Sequence, residues 1–219
     1  MTNALPVLLR GLAIGFSIAA PVGPIGVLCI RTTLLRGRAA GLAAGLGAAT
    51  ADGLYGVVAA GGLALLLNAL VALQTPLRLV GGGFLVYLGL AALRAAPPPP
   101  GDSGRSTEGG FWRAFLTTFL LTLSNPMTIL SFVAIIGAVG VGATAIAASS
   151  PGAGAAPFAL VTGVFLGSAA WWLTLTTGVS LFRACVTPSV MAFINRAAGA
   201  VIAGFGVWVL AGVVMGVGK

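Results

Sequence analysis

Only three acidic residues occur among the 219, and they are unequally placed. Asp52 lies inside a long apolar stretch, whereas Asp102 and Glu108 share the one clearly polar loop. A carboxylate in hydrocarbon costs about 2.5–3.5 kcal/mol on insertion scales, so it faces a cavity or a partner and marks a pathway. Asp52 could carry a proton or supply the counter-charge for a substrate ammonium. A carboxylate paired to a neighbouring helix for structure is the plainer alternative. Gly37, Gly41, Gly45, Ala49 and Gly53 recur every fourth residue, a small-residue stripe that lets helices approach closely. Asp52 follows Ala49 by three residues and Gly45 by seven, which puts it on or beside that stripe and away from lipid.

A second group of residues interrupts helices. Pro21 and Pro24 each remove a backbone donor and displace the carbonyl four residues back, at Ser17 and Ala20, while Gly23 and Gly26 allow close approach. At membrane depth such a break is tolerated where it is buried in protein or lines an aqueous cavity. It exposes carbonyls for an ammonium group, and the helix restarting at Pro24 offers a positive dipole end for a carboxylate. A simple proline kink is the competing reading. Asn125-Pro126 interrupts a later apolar stretch in the same way, and Asn125 could cap the restarted helix, contact substrate, or both.

The elements that position these residues follow from composition. Hydrophobic residues make up 58% and charged residues 6%, with a mean hydropathy of +1.11, which excludes a soluble domain of this size. The chain reads as an all-α integral membrane protein. Six spans are expected, near 4–30, 39–67, 76–94, 112–140, 157–182 and 189–217, each close to the ~20 residues needed to cross the bilayer. The first is too long for a signal-peptide core and reads as a retained helix. Thr75-Pro76 and Thr187-Pro188 look like capped helix starts.

The stretch from Ala95 to Phe111 contains four consecutive prolines and then Gly, Asp and Ser, so it cannot continue a helix. It divides the chain into a first three-helix repeat (1–95), a linker (96–111) and a second three-helix repeat (112–219). Three spans per half would make related halves an inverted repeat, with helices 1 and 4 both broken by proline, an architecture of secondary transporters. Arg31, Arg36, Arg38, Arg94, Arg105, Arg113, Arg183 and Arg196 fall to one side, and Arg10, Arg78 and Lys219 to the other. Positive charge stays inside, so the 95–111 loop is expected to be cytoplasmic and both termini external.

Several other features carry less chemistry. The net charge of +8 could suggest nucleic acid, but no basic-aromatic interleaving is present, so none is expected as a partner. The Arg31–Arg38 segment reads as a topology determinant before a substrate site. Trp171 and Trp172 fall mid-span, where lining a cavity and packing between helices are equally open. Cys29 and Cys185 form no CxxC, yet a membrane thiol–disulfide electron carrier using one cysteine per broken helix is a rival function. The absence of histidine and of any Cys/Asp/Glu cluster weakens a third reading, a heavy-metal exporter, and no metal or cofactor is expected. No phosphate-binding G-x-x-x-x-G-K-[ST] loop exists, so the chain has no ATPase of its own and is not expected to be an enzyme.

The run from Pro21 to Gly56, PVGPIGVLCIRTTLLRGRAAGLAAGLGAATADGLYG, resembles the amino-terminal signature of the LysE/RhtB family of amino-acid exporters. Its marks are a G-P break in the first helix, a basic G-R-x-x-G turn and a Gly-rich second helix ending in an acid. Ser124-Asn125-Pro126 resembles the N-P motif of that family's second half, with Met127 where a lysine commonly follows. The resemblance implies an exporter of amino acids or related small metabolites in a bacterial inner membrane, driven by an ion gradient such as protons. It carries over Pro21, Gly23, Pro24, Asp52, Asn125 and Pro126 as site residues. Gly stripes on the second and sixth spans could support a homodimer.

Overall fold

Every regular element is helical among the residues that the computed structural model describes, namely 4–21, 23–60, 73–95, 110–125, 127–129, 131–132 and 155–215. The order is α1 (Ala4–Ala19), α2 (Pro24–Arg36), α3 (Arg38–Ala60), α4 (Gln74–Leu93), α5 (Gly110–Leu123), α6 (Ala155–Leu181), a 3₁₀ turn (Arg183–Cys185) and α7 (Pro188–Val214). Three helices are long and apolar enough to cross a membrane: Thr75–Leu93, Pro157–Leu181 and Pro188–Val214. The bent pair α1–α2 makes a fourth if counted as one span. At 23 residues α3 is long enough, but five glycines, Thr50 and Asp52 dilute its apolar character. α5 is apolar but only 14 residues long. The molecule is an all-helical membrane protein.

Helix pairing follows the glycines. α1 lies on α6, α4 on α7, and α3 on both α5 and α6, while α2 folds back on α3 and also meets α7. A Cβ at Gly15 would run into the Val164 carbonyl of α6, and one at Gly163 into the Leu8 carbonyl of α1. These helices touch backbone to backbone, which only small residues permit. Gly45 of the predicted stripe faces Trp172 of α6, while a methyl at Gly41 would meet Thr33 of α2 first and Thr176 of α6 after it. Hydrophobic patterning thus sets membrane residence, and glycine placement sets which helices meet.

Two boundaries differ from the sequence-based expectation. Residues 31–36 continue α2, and the connection to α3 is one residue, Gly37, at φ +91°. Only glycine adopts that left-handed conformation at little cost. The polar look of RTTLLR misleads because Thr33 donates to the Cys29 carbonyl of its own helix (2.8 Å), satisfying its hydroxyl internally. At α4 the helix begins at Gln74 with Leu73 as N-cap, so Thr75 lies inside the first turn and is not the cap. Thr187 does cap α7, accepting from the Val190 amide at 3.3 Å. The expected 96–111 linker, the end of the second span and most of the chain beyond Asn125 to 154 lie largely outside the described residues.

Candidate functional site

Asp52 sits on the fourth turn of α3 and is 3% exposed. The stripe that points α3 at α6 brings it to Ser168, which is fully buried. The Ser168 hydroxyl donates to Asp52 Oδ2 at 2.7 Å. Among the described residues this is the one hydrogen bond the carboxylate accepts, and no cation pairs with it. A carboxylate held so lightly away from water can exchange a proton or accept an ammonium without first breaking a salt bridge.

The first break and Asp52 lie on helices joined by the Gly37 turn. α2 and α3 leave Gly37 as two arms of a hairpin; Gly23 is fourteen residues back from the turn and Asp52 fifteen residues forward. At 1.5 Å per residue they lie about 21 and about 22.5 Å from the turn along their helices. Along the arms, Cys29 Sγ, eight residues before Gly37, approaches the Gly41 carbonyl, four residues after it (4.0 Å), and Ile25 and Cys29 join Ala44 and Ala48 in one core. α1 and α2 meet at 81°. Between them the Gly23 amide donates to the Pro21 carbonyl (2.8 Å), and α2 starts with Pro24 and without a side-chain cap. Pro21 is exposed, Pro24 is buried, and a Cβ at Gly23 would meet no described atom within 4 Å. Among the described residues nothing fills the side of the break where Gly23 lacks a side chain.

The second break is drawn to the same turn of α3. Tyr55, three residues past Asp52, donates its hydroxyl to the Leu123 carbonyl at the end of α5 (2.7 Å). Its ring stacks on Phe132, with centroids 5.2 Å apart. Tyr55, Ile129, Phe132 and Val164 form a buried cluster against which Ile14 and Ile18 of α1 also pack. Asn125 accepts from the Met127 amide through Oδ1 (3.1 Å) and from the Ile129 amide through its carbonyl (3.2 Å). That is the capping role expected of it. Pro126 lies outside the described residues.

Other singled-out residues take the following positions. Trp172 is buried against Gly45, and Trp171 meets Phe16 edge to face at 5.3 Å. Cys29 is buried in α2 and Cys185 exposed in the 3₁₀ turn, and both thiols are free. The sequence alone assigns no role to Ser168, Tyr55 or Asn195. Nothing in the local sequence marks a hydroxyl as the partner of an acid on another helix. Arg31, read as a loop charge, instead donates through Nε to Asn195 Oδ1 of α7 at 2.9 Å.

Residues 16–212 match the family described as LysE type translocator. Among curated proteins, the chain is 33% identical over 133 residues to "Putative amino acid efflux protein YcgF" of Bacillus subtilis, covering 61% of this chain and 63% of that one. It is 33% identical over 107 residues to "Uncharacterized membrane protein YahN" of Escherichia coli, covering 48% of each. It is 32% identical over 126 residues to "Uncharacterized membrane protein PA4757" of Pseudomonas aeruginosa, covering 56% of this chain and 58% of that one. The aligned segments thus span about half to two thirds of these relatives. No solved structure matches the chain. With nearly its whole length matched, this chain belongs to the LysE type translocator family, whose members are transporters and not enzymes.

Proposed function

We propose that this protein exports amino acids or related small metabolites from the bacterial cytoplasm across the inner membrane, by exchange for protons, with Asp52 as the coupling or amine-binding group. The observation that carries this reading is the buried Asp52 carboxylate, bonded among the described residues only to Ser168, on the α3 turn that also meets the second helix break. Pro21, Gly23 and Pro24 would line one wall of the pathway, and Asn125 with Pro126 the other. Broken helices flanking an inward acid are how transporters of this architecture hold a charged substrate at the midplane. The name of the Bacillus subtilis relative supports amino acids as the substrate class.

The architecture proposed is two inverted three-helix halves, 1–95 and 112–219, joined by 96–111. Exchanging the halves turns the α1–α6 pair into the α5–α3 pair and leaves α3–α6 and α4–α7 as self-related pairs. All four pairings occur, which supports the repeat. Arg183 donates to the Leu34 carbonyl (3.1 Å), so the first and fifth connections share one end of the bundle, as the arginine distribution requires of a cytoplasmic side. The test is metabolite profiling of the medium from cells with and without the protein at matched internal pools. Selective accumulation of one or a few amino-acid-like solutes is expected; an unchanged medium across all amine-bearing solutes would refute export.

A further inference from the structure

Arg31 and Asn195 make a second polar pair inside the bundle, away from Asp52. Asn195 is 1% exposed and Arg31 is half-buried. Arginine only donates, so the Asn195 atom facing Arg31 Nε must be its amide oxygen. The orientation of the amide is thereby fixed by chemistry. Its Nδ2 is then held beside the guanidinium, buried and without a hydrogen-bond partner. One of the five guanidinium donors is used by Asn195, and no acid among the described residues pairs with the rest. A buried donor left unmade next to an uncompensated cation is costly unless a ligand satisfies both.

We infer that Arg31 and Asn195 form a carboxylate-binding subsite on the Gly37 side of Asp52. The ligand it suits presents two oxygens in one plane: one face for the guanidinium fork, one oxygen also within reach of the amide N–H. That the carboxylate belongs to the exported solute rests on the export reading; that the pair takes a carboxylate rests on the pair alone. Arg31 is eight residues from Gly23, about 12 Å along α2. The amine and carboxylate of an α-amino acid hang on neighbouring atoms, so one molecule does not reach both Arg31 and Asp52. An apolar layer of Leu28, Leu85, Leu121 and Ile202 lies on the Gly23 side of the pair, one turn from Arg31 along α2 and two turns from Asn195 along α7. The subsite is thus a first stop, reached from the Gly37 end, from which the solute moves past that layer to the broken helices.

The test uses the full chain, labelled with ¹⁵N-arginine and purified in detergent, with the Nε–H resonance of Arg31 assigned by its loss in Arg31→Lys. Sodium acetate is titrated against sodium chloride at equal ionic strength. A saturable shift with acetate and none with chloride is expected. Asn195→Asp keeps the size of the side chain and supplies its own carboxylate to Arg31, so it should abolish the acetate response. Asn195→Leu should weaken it by about tenfold or more, as loss of a hydrogen bond to a charged ligand requires. A response equal to that of chloride, or acetate binding unchanged in Asn195→Asp, would overturn the subsite. So would saturation only by inorganic phosphate or by phosphatidylglycerol nanodiscs, which would make it a phosphate or lipid site. Acetate binding in a protein that exports no amino-acid-like solute would leave the subsite standing and refute the export reading.

Discussion

Gly15 and Gly23 lie eight residues apart and should respond oppositely to an added side chain. At Gly15 a single methyl would enter the Val164 carbonyl of α6, which is backbone and cannot rotate aside. α1 would have to move off α6, and overpacking of this kind costs about 1–3 kcal/mol. At Gly23 the backbone is extended (φ −89°, ψ −167°), as expected before a proline, and a Cβ meets no described atom within 4 Å. A leucine there should change stability by no more than about 0.5 kcal/mol, the range of substitutions away from packed features. Its isobutyl group would nevertheless fill the open side of the break that the substrate must reach. Thermal unfolding in detergent and efflux from proteoliposomes loaded with the solute found by profiling separate these effects. Gly15→Ala should unfold at lower temperature. Gly23→Leu should unfold like the unmodified protein and export little or nothing. Wild-type export by a stably folded Gly23→Leu would show that the break is only structural, and an unaffected Gly15→Ala would refute the close α1–α6 contact.

Two further outcomes are expected. Ser168→Ala removes the hydroxyl that Asp52 accepts from; loss of a hydrogen bond to a charged group, about 1.5–3 kcal/mol, should slow gradient-driven export roughly tenfold or more without loss of folded protein, whereas Ser168→Thr should retain most of it. Equal rates in Ser168→Ala would reduce Ser168 to packing. For topology, single cysteines replacing Ser103, Ala153 or Lys219, in a background with Cys185 changed to serine because it is exposed, should react with an impermeant thiol reagent from outside at 153 and 219 but not at 103; the reverse pattern would invert the orientation.

Asp52 was legible because a lone acid in an apolar stretch is conspicuous, and its inward direction followed from the spacing of Gly45 and Ala49 on the same helix. Both are properties of one helix. Ser168 and Asn195 were not legible as partners because pairing depends on the register between helices far apart in sequence, 116 residues in the first case and 164 in the second. Arg31 was misplaced for a related reason. Hydropathy treats arginine and threonine as span-ending, but Thr33 satisfies itself on α2 and Arg31 is answered from α7, so the helix continues to Gly37. The glycines reported close packing correctly without naming the partner: Gly41 proved to face Thr33 of α2, Gly45 to face α6, and Gly47 to face Phe115 of α5. The capping role of Asn125 was readable, since a cap acts within a few residues of itself.

The role of Asp52 is tested most directly by replacing it with asparagine in reconstituted protein. The amide keeps the size of the side chain but cannot gain and lose a proton between outward-facing and inward-facing states. Solute efflux driven by an imposed proton gradient and solute exchange without a gradient should be measured on the same preparation, with thermal stability alongside. The account predicts a folded Asp52→Asn protein that has lost gradient-driven export and can retain exchange, with Asp52→Glu keeping some of both. Full proton-driven export by Asp52→Asn would contradict it outright, and loss of folded protein in both variants would make the carboxylate structural.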